Sequence, residues 1–161
     1  MPTLTYRTED EVRDEAKTIL GFDRKEEKVK QGTGQITTFN QLGFKGNANK
    51  PDGWYLPEDN KAVSIILETK SEAEYLSQQK SVDELKKNTD IVAQKYSKVI
   101  GILYNGVDIR VFKNDNEINT SNVLQHKDYY ISLFNENNID KQEIYRLTKK
   151  INDCLHIEFG I

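Results

Sequence analysis

The feature that most restricts the fold is residues 62–69, Ala-Val-Ser-Ile-Ile-Leu-Glu-Thr, a bounded β-branched run that stays apolar on both faces until Glu68. Side chains alternate across a strand, so a run of this kind has to lie between two covering layers. A central strand follows, and with it an α/β (α+β) class: a mixed central β-sheet flanked by helices on both sides. The 161 residues supply one core of that size and little for a second. A carboxylate at the end of a buried strand is costly without a partner, which makes Glu68 the first candidate functional residue.

The neighbouring segments supply the layers. Thr8 with Glu11 three positions on forms a capping-box pattern, and Val12, Ala16, Ile19 and Leu20 recur at helical spacing, so a helix is expected over 9–20 with Gly21 as its stop. Residues 72–96 read as polar helix, with a possible break near Lys80 and Ser81. Residues 99–104 and 107–112 are β-rich and joined by Asn105-Gly106, a hairpin signal, so an antiparallel pair is expected. Shorter strands are expected near 35–39 and 129–133, with a polar connection over 113–122. Ile144, Leu147, Ile151 and Leu155 mark a last amphipathic helix over 139–155. The domain reading is 1–138 for the main domain and 139–161 for a C-terminal helix and linker.

Composition narrows the chemistry. Lys and Arg number 23 against 26 Asp and Glu, a net charge of −3, which argues against a chain that coats nucleic acid indiscriminately. A mean hydropathy of −0.74 and the absence of a bilayer-length apolar run argue against a membrane span. No basic region followed by an apolar stretch opens the chain, so a cytoplasmic setting is expected. Cys154 is the lone cysteine, and His126 and His156 are the two histidines, which removes intrachain disulfides, thiolate zinc sites and multi-imidazole centres. Hydrolytic chemistry here would run on carboxylates and lysine.

Such a set exists. Pro51-Asp52-Gly53 precedes Glu68-Thr69-Lys70 by sixteen positions, and Glu68 and Lys70 share one face of the strand because its period is two. Asp52, Glu68 and the backbone carbonyl of Thr69 are a donor set suited to Mg²⁺, which takes oxygen ligands and keeps several waters. Mn²⁺ would substitute. The Lys70 ammonium would then orient the attacking water and offset charge on phosphate oxygens. Glu15, at the margin of the apolar face of the first helix, is a further candidate ligand. Residues 22–50 carry six cations against three anions; Lys45 and Lys50 are the candidate DNA contacts within it.

These two half-motifs resemble those of the PD-(D/E)xK nuclease superfamily, in which a proline-aspartate segment leads to a strand ending in an acid and a lysine. The phrases Lys50-Pro51-Asp52-Gly53-Trp54, Ile66-Leu67-Glu68-Thr69-Lys70 and Gly101-Ile102-Leu103-Tyr104-Asn105-Gly106-Val107-Asp108-Ile109-Arg110-Val111-Phe112 resemble, more closely, the N-terminal nuclease domain of type IIG restriction enzymes. Those are related to the nuclease domains of type I restriction subunits. The stretch Leu147-Thr148-Lys149-Lys150-Ile151-Asn152-Asp153-Cys154-Leu155-His156 resembles their lead into a methyltransferase region.

The resemblance implies a restriction endonuclease-like core, Mg²⁺-dependent hydrolysis of double-stranded DNA, metal held by Asp52 and Glu68 with help from Glu15, and transient pairing of two nuclease domains. It also implies methyltransferase and target-recognition regions in the same full-length chain as partners. Many relatives place a Gln and a Tyr four residues apart in the helix after the lysine, where this chain reads Glu84-Leu85-Lys86-Lys87-Asn88. A methyltransferase Asn-Pro-Pro-Tyr signature is missing. The competing reading is a non-catalytic DNA- or partner-binding module on a nuclease-like fold.

Overall fold

The computed structural model describes residues 5–135. Six strands form one open sheet in sequence order: β1 (Val29–Thr33), β2 (Gly53–Pro57), β3 (Ser64–Thr69), β4 (Val99–Tyr104), β5 (Ile109–Lys113) and β6 (Asn116–Ile118). All neighbours are antiparallel except β3 and β4, which run parallel and are connected through α2 (Gln79–Ala93). A parallel pair needs a crossover of this length, and a helix supplies it.

α1 (Glu9–Leu20) begins and ends where its caps dictate. Thr8 and Glu11 complete the capping box, three acids occupy the positive first turn, and Gly21 closes the helix at φ 82°, in the left-handed region that glycine enters without strain. Its apolar stripe of Val12, Ala16 and Leu20 packs with Ile65, Leu67, Ile100 and Ile102 on one face of the sheet. On the opposite face Val82, Leu85 and Val92 of α2 pack with Trp54, Leu56, Ile66 and Leu103. Every residue of β3 and of β4 is buried, as the two-sided apolar pattern requires.

Gly101 sets the depth at which α2 sits. A Cβ at this position would lie 2.9 Å from Thr89 Cγ2 and 3.3 Å from Leu85 Cδ2, so the bare backbone of β4 lets the helix come close. Gly101→Val is expected to overpack this contact and cost about 1–3 kcal/mol. A urea midpoint indistinguishable from wild type would contradict that.

Several local expectations are corrected. The strand expected at 35–39 lies earlier, at β1, and residues 35–39 are irregular. The apolar cluster at 129–133 belongs to a helix, α3 (Lys127–Ser132), which buries Tyr130 completely against the α1 layer; its aromatic and β-branched residues mimic a strand. The helix expected from 72 starts at Gln79, after turns, although Leu76 still joins the core. Inside the polar stretch 113–122, Asn114 and Asp115 both take positive φ (47° and 68°) and make the tight turn between β5 and β6. The helix at 139–155, Cys154 and His156 lie outside the described residues.

Candidate functional site

Register brings the two half-motifs together. Gly53 pairs with Leu67 in the antiparallel β2–β3 ladder, so Asp52, one step further, stands opposite Glu68 on the face that carries Trp54 and Ile66. The approach is close because Gly53 has no side chain: a Cβ there would lie 2.8 Å from Leu67 Cδ2. Asp52 is 9% and Glu68 7% exposed.

Each carboxylate is held differently. Asp52 Oδ2 accepts from the Thr69 amide at 2.8 Å and from Thr69 Oγ1 at 3.3 Å. Its other oxygen, Oδ1, is 3.9 Å from Arg13 Nη1. Glu68 Oε1 accepts from the Asn88 side-chain amide, a neutral partner. Burial, and secondarily the negative charge of Asp52, push the Glu68 carboxyl well above the ordinary carboxylate range; the Asn88 bond and Lys70 oppose this without overcoming it.

Lys70 continues past the strand end, its amide bonded to Tyr104 O at 3.0 Å. Its ammonium donates to Glu84 Oε2 at 2.6 Å. Burial alone would lower its pKa, but the bond and charge of Glu84 outweigh burial and leave it raised. Glu84 and Asn88 are one turn apart on α2, so a single helical face addresses Lys70 and Glu68 together.

Glu15 goes elsewhere. It pairs with Arg7 and accepts from Tyr104 Oη at 2.7 Å, on the flank of α1. The first-helix acid that senses the site is Glu9, which sequence reasoning missed. Burial raises its pKa first, the Asp52 charge adds to this, and Lys70 and Arg13 lower it. The signal was present: Glu9 is spaced three, four and seven residues from Val12, Arg13 and Ala16, all on the buried side of α1. Arg13 was also missed. Its side chain is buried, it is bonded to Asp10, and its Nη1 has no hydrogen-bond partner.

Lys45 and Lys50 are exposed, and Lys50 adjoins Pro51. Among the described residues no group of three or more His, Cys, Asp or Glu side chains is arranged to hold a metal ion. The donors that do converge are the two carboxylates of Asp52 and Glu68. That number suits Mg²⁺, which is commonly held by one or two carboxylates with waters and substrate phosphates completing its shell. No helix among the described residues is long and apolar enough to cross a membrane.

Comparison with protein-family models, with curated proteins and with solved structures returned no match.

Proposed function

We propose that the chain is a Mg²⁺-dependent DNA endonuclease domain of a restriction-modification enzyme, with a restriction endonuclease-like core. The observation that carries this reading is the opposed, buried pair Asp52 and Glu68, whose mutual repulsion a divalent cation would relieve. Once bound there, Mg²⁺ (or Mn²⁺) supplies Lewis-acid polarisation of a phosphodiester and a lowered pKa for a bound water. Asp52 presents Oδ1 while Thr69 fixes Oδ2. Glu68 is oriented by Asn88. Lys70, positioned by Glu84, faces the same end of β3 and would offset charge developing on the phosphate oxygens. Double-stranded DNA is the substrate, with Lys45 and Lys50 as backbone contacts. Methyltransferase and target-recognition regions, and a second nuclease domain paired transiently for double-strand cutting, are the partners of this reading.

The direct test is nicking or linearisation of supercoiled plasmid with Mg²⁺ or Mn²⁺, alongside calorimetric titration of the metal. Asp52→Ala is expected to remove the metal-binding heat. Equal titration curves for both proteins would count against the site.

The second reading, a binding module on the same fold, is favoured by one observation: Lys70 is already neutralised by Glu84 at 2.6 Å. DNA retention without cleavage at any divalent ion concentration, and unchanged in Asp52→Ala, would select it.

A further inference from the structure

The basic stretch 22–50 is only partly used by the site above, and two of its lysines line a cavity at the opposite end of β2. Pro57 lies five positions after Asp52, roughly 16 Å of extended strand, so the two places are distinct. The cavity has a volume of about 340 Å³, within the range of small-molecule sites. Leu56, Pro57 and Tyr96 form apolar walls, and Lys28, Lys30 and Lys95 stand around them with Glu58 as the single acid.

Two of the ammonium groups approach each other at the rim, beside Gly43, the neighbour of the lining residue Leu42. Lys30 Nζ and Lys95 Nζ lie 3.6 and 3.7 Å from the position a Cβ would take on Gly43. Lys30 is steered there by a 3.5 Å bond to Leu42 O, and Lys95 by its place over the Phe44 ring at 5.9 Å. Among the described residues, none of the three lysines is in an ion pair with a carboxylate. Like charges held together without a counter-ion attract an anion. Lys28 also adopts φ 62°, a left-handed backbone that a bulky residue avoids, and its carbonyl is tied to the Glu58 amide at 2.7 Å. Strain of this kind concentrates at ligand clamps.

We propose that this cavity binds a phosphate ester carrying a flat apolar group, a nucleotide in chemical terms, with Lys30 and Lys95 gripping the phosphate and Leu56, Pro57 and Tyr96 taking the base. The site needs no divalent metal and stands independently of the nuclease reading. A free nucleotide and a nucleotide unit of a nucleic-acid strand share this chemistry.

The test is calorimetric titration of the full chain, in EDTA, with deoxyadenosine monophosphate, deoxyadenosine and inorganic phosphate. The monophosphate is expected to bind saturably and at least tenfold tighter than either part. The exposed pair Lys30→Ala with Lys95→Ala is expected to weaken it at least tenfold, with an unchanged melting curve showing that the fold persists. A short DNA duplex that displaces the monophosphate would support the site and identify a strand as the source; failure to displace would support it with a free nucleotide. No saturable binding of the monophosphate to the wild type, or undiminished binding by the double variant, would overturn the proposal.

Discussion

If the chain is the proposed nuclease, Lys70→Met is expected to reduce DNA cleavage by about 10²–10³-fold, the usual effect of removing one donor that stabilises transition-state charge. Methionine keeps most of the bulk of the lysine stem and removes the cation. The fold is expected to persist because the abandoned partner, Glu84, has a side chain 42% exposed and is solvated in place. An ion pair with one partner so exposed contributes only about 0–1 kcal/mol. Plasmid cleavage with Mg²⁺, beside a melting curve of the same preparation, checks both halves. Full cutting activity by the variant would sink the role given to Lys70. A collapsed melting curve would instead show that the ion pair is structural.

Glu68→Gln is expected to act in two opposite directions. At neutral pH the metal-free protein gains stability, about 1–3 kcal/mol, because a buried titratable carboxyl facing Asp52 is replaced by a neutral amide whose oxygen still accepts from Asn88. On the proposed nuclease reading, cleavage and the stabilising response to Mg²⁺ are both expected to be lost. The sign of the pH dependence follows from the raised native pKa. Below the ordinary value of 4.5 the carboxyl is protonated folded and unfolded, so it carries no penalty. Above that value the unfolded chain releases the proton more readily than the native one, and stability falls as pH rises through the raised native pKa. Urea midpoints between pH 4 and pH 8 are therefore expected to decline in the wild type and flatten in the variant. Added Mg²⁺ is expected to restore the wild type alone. Parallel pH curves for the two proteins would refute the account of Glu68.

The two-sided apolar run at 62–69 announced a strand with a layer on each side, because a strand's alternation leaves no other arrangement for it. The capping box at Thr8 and Glu11 and the glycine at 21 placed α1 to the residue, since caps act through neighbours in the chain. The turn chemistry of Asn105-Gly106 was read correctly as joining an antiparallel pair. The loop is longer than the expected two residues: it spans 105–108, with Asn105 Oδ1 accepting from the Val107 and Asp108 amides, so the second strand starts at Ile109 rather than at 107. The same kind of signal at Asn114-Asp115 went unread, and with it β6.

Proline hid a strand. Pro51 and Pro57 bracket residues for which no strand was expected, yet all five residues of β2 are buried. Pro57 is the last residue of β2, past the last β2–β3 pair at Tyr55 and Ile65, so its missing N–H takes no bond from the β3 ladder. At 129–133 the strand-like composition yielded to a helix, because Tyr130 finds a fully buried place beneath α1 that no local propensity encodes.

Alone, the sequence determined the kit and its spacing: Asp52, Glu68 and Lys70, with Glu68 and Lys70 on one face of a buried strand and almost no histidine or cysteine to compete. Which groups meet that kit was decided only in three dimensions. Antiparallel register put Asp52 opposite Glu68, and the bare backbone at Gly101 let α2 bring Asn88 and Glu84 down onto Glu68 and Lys70. Helix phase turned Glu9 and Arg13 toward the site and sent Glu15 to Arg7 and Tyr104. The physical reason is the same in each case. Spacing along a strand or helix is periodic and local, whereas a partner across the sheet is chosen by packing between segments far apart in the chain.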